Sequence, residues 1–213
     1  MELMERNNER GGKFFAFATK LSQLMYINIL TVLCCLPVFT AGSALTAMHR
    51  VLVQIYRDEE DKLTRTYFAS FGKNFGQATL IWLLYLAAFA VLWIDRQAML
   101  QLNNGTLSYL KLLVPVLAFL LLLSLNWVFV LQSRYTLTVK DTIAYAFTRI
   151  IAFPIRSLLM GAVVLLPAVL FIYVPSFLMI AVLFGFTGPG ILQACFYDKV
   201  LKIMEDDEEK SEQ

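Results

Sequence analysis

Five polar side chains and one proline interrupt the long apolar stretches of this chain: Asn28, His49, Arg50, Asn126, Gln193 and Pro189. Amides in such surroundings either hydrogen-bond neighbouring helices, at about 1 kcal/mol per bond, or form a polar lining around a small ligand. Asn28 and Gln23 lie in the first apolar stretch, Asn126 deep in the fourth and Gln193 in the last. His49-Arg50 brings the one charge into the apolar zone. Arg50, Gln54 and Arg57 recur at i, i+4 and i+7, which is one face of a helix. Arg50 has two readings. Its guanidinium snorkels to the interface with its stem in lipid, or it faces the helix bundle and binds a lipid phosphate or a partner's carboxylate. Pro189 sits within Gly185-Phe186-Thr187-Gly188-Pro189-Gly190, where freed backbone groups must find partners. Such a break either kinks a helix for close packing or lines a substrate site, as in some transporters.

The carboxylates are Glu2, Glu5, Glu9, the run 58–61, Asp95, Asp141, Asp198 and six in the C-terminal tail, and none falls inside an apolar stretch. A proton- or sodium-coupled carrier usually needs a buried carboxylate, and an intramembrane aspartyl protease needs two. A zinc site needs converging ligands, but His49 is the only histidine. No G-x-x-x-x-G-K-[ST] phosphate loop is present. The expectation is therefore a non-enzyme, with no catalytic, metal or cofactor residues assigned. The net charge of +2 is spread over several loops, which gives no signal for nucleic acid. Cys34, Cys35 and Cys195 read as buried free thiols.

The elements that must hold these groups follow from hydropathy. With 59% apolar residues, the chain lies outside the soluble range, and about 20 apolar residues cross a bilayer core. The uncharged runs divide into six expected helices at about 16–36, 40–57, 75–94, 112–133, 156–173 and 176–197, with turns at Pro37 and Pro175. With each Lys and Arg counted to the loop or terminus it lies nearest, the seven segments hold four, none, five, two, four, none and three. The positive-inside bias then assigns both termini and the long loops to the cytoplasm. The class expected is an all-α polytopic cell-membrane protein, one domain over 1–204, with its partner the lipid bilayer. Trp93 and Tyr173 read as outer interfacial anchors, Tyr135 and Tyr197 as inner ones. Two amphipathic helices are expected at the inner interface: one with Tyr67, Phe68, Phe71 and Phe75 on a face, the other capped by Asp141 with Ile143, Phe147, Ile150 and Ile151 on a face. The acidic residues of 205–213 suggest a disordered tail.

Three stretches carry a family resemblance. Asn28 to Ala47 includes Leu36-Pro37, Thr40-Ala41-Gly42 and Ala44-Leu45-Thr46-Ala47. Phe71-Gly72-Lys73-Asn74-Phe75-Gly76-Gln77-Ala78-Thr79 leads into Ile81-Trp82. Gly185-Phe186 with Pro189 precedes a basic helix. Together they resemble the YesL-like family of bacterial integral membrane proteins, domain of unknown function 624. The resemblance implies a six-helix protein of Gram-positive bacteria, often encoded beside carbohydrate importers of the ABC type, and carries no catalytic residues with it. The function expected is a non-enzymatic accessory subunit associated with carbohydrate import. The alternative is a small solute facilitator or lipid-handling protein using a polar path through the bundle.

Overall fold

The computed structural model describes residues 2–59, 62–101, 110–173 and 183–211, and every element among them is helical. Helix α1 (Glu2–Cys35) contains the apolar window Phe15–Cys35. It stops before Pro37 because the residue preceding a proline is pushed out of the α region. A single 3₁₀ turn, Val38–Thr40, then reverses the chain. Thr40 Oγ1 donates to the carbonyls of Cys34 and Pro37 at 2.5 and 2.7 Å, so this turn ties down carbonyls that the end of α1 leaves unpaired.

Helix α2 (Ala41–Tyr56) is the axis of the molecule, with 13 of its 16 residues buried. It packs against α1, α3, α4 and α7. Its first half is small, with Ala41, Gly42, Ser43, Ala44 and Ala47, which lets neighbouring backbones approach closely. Helix α3 runs unbroken over Leu63–Gln101. The separate interfacial helix expected around Tyr67–Phe75 is instead the first part of α3. Gly72 and Gly76 do not stop it, because each costs only about 1 kcal/mol in a helix and both have negative φ.

Helix α4 spans Leu110–Arg134, α5 spans Val139–Ala152 and α6 spans Pro154–Tyr173. The cap of α5 is Thr138 rather than Asp141. Thr138 Oγ1 accepts from the Asp141 backbone N–H at 3.3 Å and donates to the Asp141 carboxylate at 2.5 Å, which caps the helix and holds an acidic group in its first turn, where the dipole favours it. The small and polar side of α5, Thr142 and Ala146, is the buried one, while Phe147 and Ile151 face outward. A bend of 108° separates α5 from α6 at Phe153-Pro154, with Pro154 opening the new helix as prolines do.

Helix α7 covers Thr187–Ser211. Residues 205–211, expected to be disordered, continue this helix. Its end includes three Glu and one Lys, which are good helix formers. The turn expected at Pro175 lies outside the described residues. Tyr197 is not an interfacial anchor, being fully buried against His49, whereas Trp93 and Tyr173 are exposed. Cys195 is exposed and Cys34 and Cys35 are half-buried.

Among the described residues, three helices are long and apolar enough to cross a membrane: Phe15–Cys35, Leu63–Leu100 and Lys111–Arg134. The bent α5–α6 pair makes a fourth if it counts as one span. Leu83, Leu84, Leu112, Leu113 and Leu158 point away from the protein, as side chains facing hydrocarbon do. The chain thus has the helices of a multi-pass membrane protein.

Candidate functional site

Four of the six residues singled out from the sequence meet in one place. His49 from α2, Asn126 from α4, and Pro189 and Gln193 from α7 line a cavity of about 490 Å³, completed by apolar side chains including Phe129 and Val164. That volume falls within the usual range for small-molecule sites. The polar groups are held by one another. Gln193 Nε2 donates to Asn126 Oδ1 and to the Met160 carbonyl, both at 3.0 Å. Asn126 Nδ2 in turn donates to the carbonyl of Leu122, one turn back, at 2.7 Å. Both bonds of Gln193 use its amide nitrogen, so its oxygen is the acceptor available to a bound molecule. On the opposite side, His49 Nδ1 lies 3.3 Å from the Tyr197 hydroxyl, with the rings edge to face at 5.8 Å. The arrangement is an apolar chamber with a fixed polar patch, suited to holding a molecule that has both kinds of surface.

The break beside this cavity falls at Gly185-Phe186, ahead of the glycine-proline-glycine run. Pro189 sits in the first turn of α7, where its missing N–H would have had no helical partner anyway. Its effect is to stop the helix extending backwards. Gly190 packs on Leu52 and Met48 of α2, which draws the beginning of α7 onto the central helix.

Asn28 does not line the cavity. Its Oδ1 accepts from the backbone N–H groups of Phe186 and Thr187 at 2.9 and 3.0 Å, and Thr187 Oγ1 donates to the Leu24 carbonyl at 3.1 Å. Phe186, at the cap position, has no polar side chain of its own, so α1 supplies the acceptor from across the bundle. Asn28→Leu removes it and leaves two buried donors unsatisfied. It is expected to cost about 2 kcal/mol, read as a lower unfolding midpoint in detergent. A midpoint equal to wild type would refute that capping role.

Arg50 is separated from the cavity. Its Nη1 lies 3.5 Å from the Ser133 carbonyl, and it lines a second, polar pocket together with Gln54. Arg57, expected on the same face, instead pairs with Asp198 of α7 at 2.6 Å. Sequence reasoning missed Tyr197, Gln132 and Asp198 as site or core groups. The only signal for them was a polar residue within an apolar stripe, such as Asp198 between Tyr197 and Val200-Leu201.

No curated protein and no solved structure matches this chain. Residues 24–96, which run from α1 through α2 into α3 and include Asn28, His49 and Arg50, match the model of a family described as "Protein of unknown function, DUF624".

Proposed function

We propose that this chain is a non-enzymatic protein of the bacterial cell membrane, which holds a small amphipathic molecule between α2, α4, α6 and α7. In this reading it has six spans and cytoplasmic termini. The observation that carries the ligand is the Gln193–Asn126 pair set into an otherwise apolar chamber. A polar head would accept from or donate to that pair, and an acyl or other apolar body would fill the remaining space. The basic residues support the orientation, sixteen of eighteen falling on one side when six spans are drawn. The described residues of the lining include one imidazole and two amides and no carboxylate, a set suited to retention more than to bond making. The family resemblance adds a setting, association with an ABC-type carbohydrate importer.

Native mass spectrometry of the full chain in mild detergent, with monoolein as the amphipathic probe, tests the ligand. Wild type is expected to retain stoichiometric adducts. Gln193→Leu, which removes the polar contact, and Leu125→Trp, which fills the chamber, are each expected to reduce retention about tenfold or more. Equal retention by all three proteins would sink the reading. Affinity purification in the same detergent addresses the partner, and recovery without any importer subunit would retire that part alone.

A further inference from the structure

Neighbouring residues of α2 open onto different sites. His49 lines the apolar cavity, whereas Arg50 lines a pocket of about 300 Å³ between α2, the beginning of α3 and the end of α4. Among the described residues that line it, Arg50, Lys73 and Arg134 are cationic and none is a carboxylate. A concavity that gathers cationic groups carries a positive potential and favours an anion.

A second observation points the same way. Gln132 lines this pocket at 3% exposure, and neither its amide nitrogen nor its amide oxygen has a hydrogen-bond partner. Buried amides are almost always satisfied, so one left with both ends open beside three cations marks a place for a polar ligand. We propose that this pocket binds a phosphate group, carried either by a free solute or by an anionic lipid headgroup. The two guanidinium groups offer forked donors that match phosphate oxygens. Lys73 adds a point charge from the more exposed side. The Gln132 amide donates N–H to a phosphate oxygen and accepts from a protonated phosphate or an adjoining hydroxyl. This site is separate from the chamber of the proposed function, and neither depends on the other.

The test uses the full chain in nanodiscs. In phosphatidylcholine discs, inorganic phosphate is titrated while the unfolding temperature is followed, with chloride at matched ionic strength as reference. In a second arm, phosphatidylglycerol is added to the discs and retained lipid is counted by native mass spectrometry. A saturable rise with phosphate identifies a free solute as the source. Retention of phosphatidylglycerol without a phosphate response identifies a headgroup, and either supports the site. Arg50→Gln and Arg134→Gln are each expected to weaken binding about tenfold or more. Gln132→Leu separates ligand from fold: it is expected to weaken binding while raising the unfolding temperature of the unliganded protein, because it removes an unsatisfied amide. Where an arginine variant fails to fold, Gln132→Leu and Lys73→Gln carry the test. Absence of a saturable response in both arms, or variants that bind like wild type, would overturn the proposal.

Discussion

Gly42→Ala is expected to destabilise the protein by about 3 kcal/mol or to prevent its accumulation in the membrane. A methyl group built on Gly42 would lie 2.5 Å from the Ala78 carbonyl oxygen and 2.7 Å from Trp82 Cβ. Both atoms are fixed to the backbone of α3 and cannot turn aside. The neighbouring contacts show how close the two helices run, with Ser43 Oγ donating to the Phe75 carbonyl at 3.2 Å and Trp82 Nε1 to the Val38 carbonyl at 2.8 Å. Pushing α3 outward would break both bonds and loosen α2, against which most of the bundle packs. Alanine gains only about 1 kcal/mol over glycine in helix propensity, which does not offset this. The same substitution elsewhere provides the contrast. Nothing lies within 4 Å of a methyl at Gly72 or Gly76, so alanine there is expected to stabilise by up to about 1 kcal/mol. At Gly161 and Gly190 the methyl meets the flexible ends of Leu123 and Leu52, and an intermediate loss is expected. Unfolding curves in one detergent would rank the five variants. A Gly42→Ala protein as stable as wild type would show that the α2–α3 contact is not the constraint claimed.

Chain breaks set by proline were legible without coordinates. The end of α1 before Pro37 and the helix over 41–56 fall within a residue or two of expectation, because proline acts through local sterics that sequence reports directly. Charge was misleading for the opposite reason. The expected boundary inside 63–101 rested on an amphipathic face and on Lys73 as the last charge before an uncharged run, but neither is a signal that ends a helix whose residues favour it.

The site shows the same division. That Asn126 and Gln193 would bond to something was readable from their depth in apolar stretches. That they bond to each other, while Asn28 caps α7 and Arg50 opens into a separate pocket, depends on which helices are neighbours. Periodicity places a residue on a face but does not say what that face meets. Arg57 is the clearest instance: it shares a helix face with Arg50 in sequence, yet sits at the C-cap of α2 and turns to α7.

That pairing supports the other large effect. Asp198→Asn is expected to destabilise the protein by about 2–3 kcal/mol at neutral pH. Asp198 is 3% exposed and receives Arg57 Nε at 2.6 Å and Lys202 Nζ at 3.1 Å. Breaking a buried pair on one side typically costs about 3–5 kcal/mol, because the remaining charge stays buried and uncompensated. Arg57 keeps some access to water and lies at a helix C-terminus, where the dipole favours a cation, so the cost falls at or just below the lower end of that range. The pH dependence has a definite sign. Burial alone raises the Asp198 carboxyl, but hydrogen bonds and charge from Arg57 and Lys202 outweigh it and hold the group below its ordinary value of 3.8. A depressed folded-state value means that the stability from ionised Asp198 is complete above the unfolded value, near pH 4, and is lost as pH falls through the lower folded one. The gap between wild type and Asp198→Asn should therefore be constant from neutral pH to about pH 5 and narrow on further acidification. Other carboxylates titrate in the same range, but they are common to both proteins and cancel in the difference. Unfolding followed by tryptophan fluorescence across that range decides the matter. A gap that widens in acid, or that is absent at pH 7, would mean the α2–α7 ion pair does not stabilise the bundle.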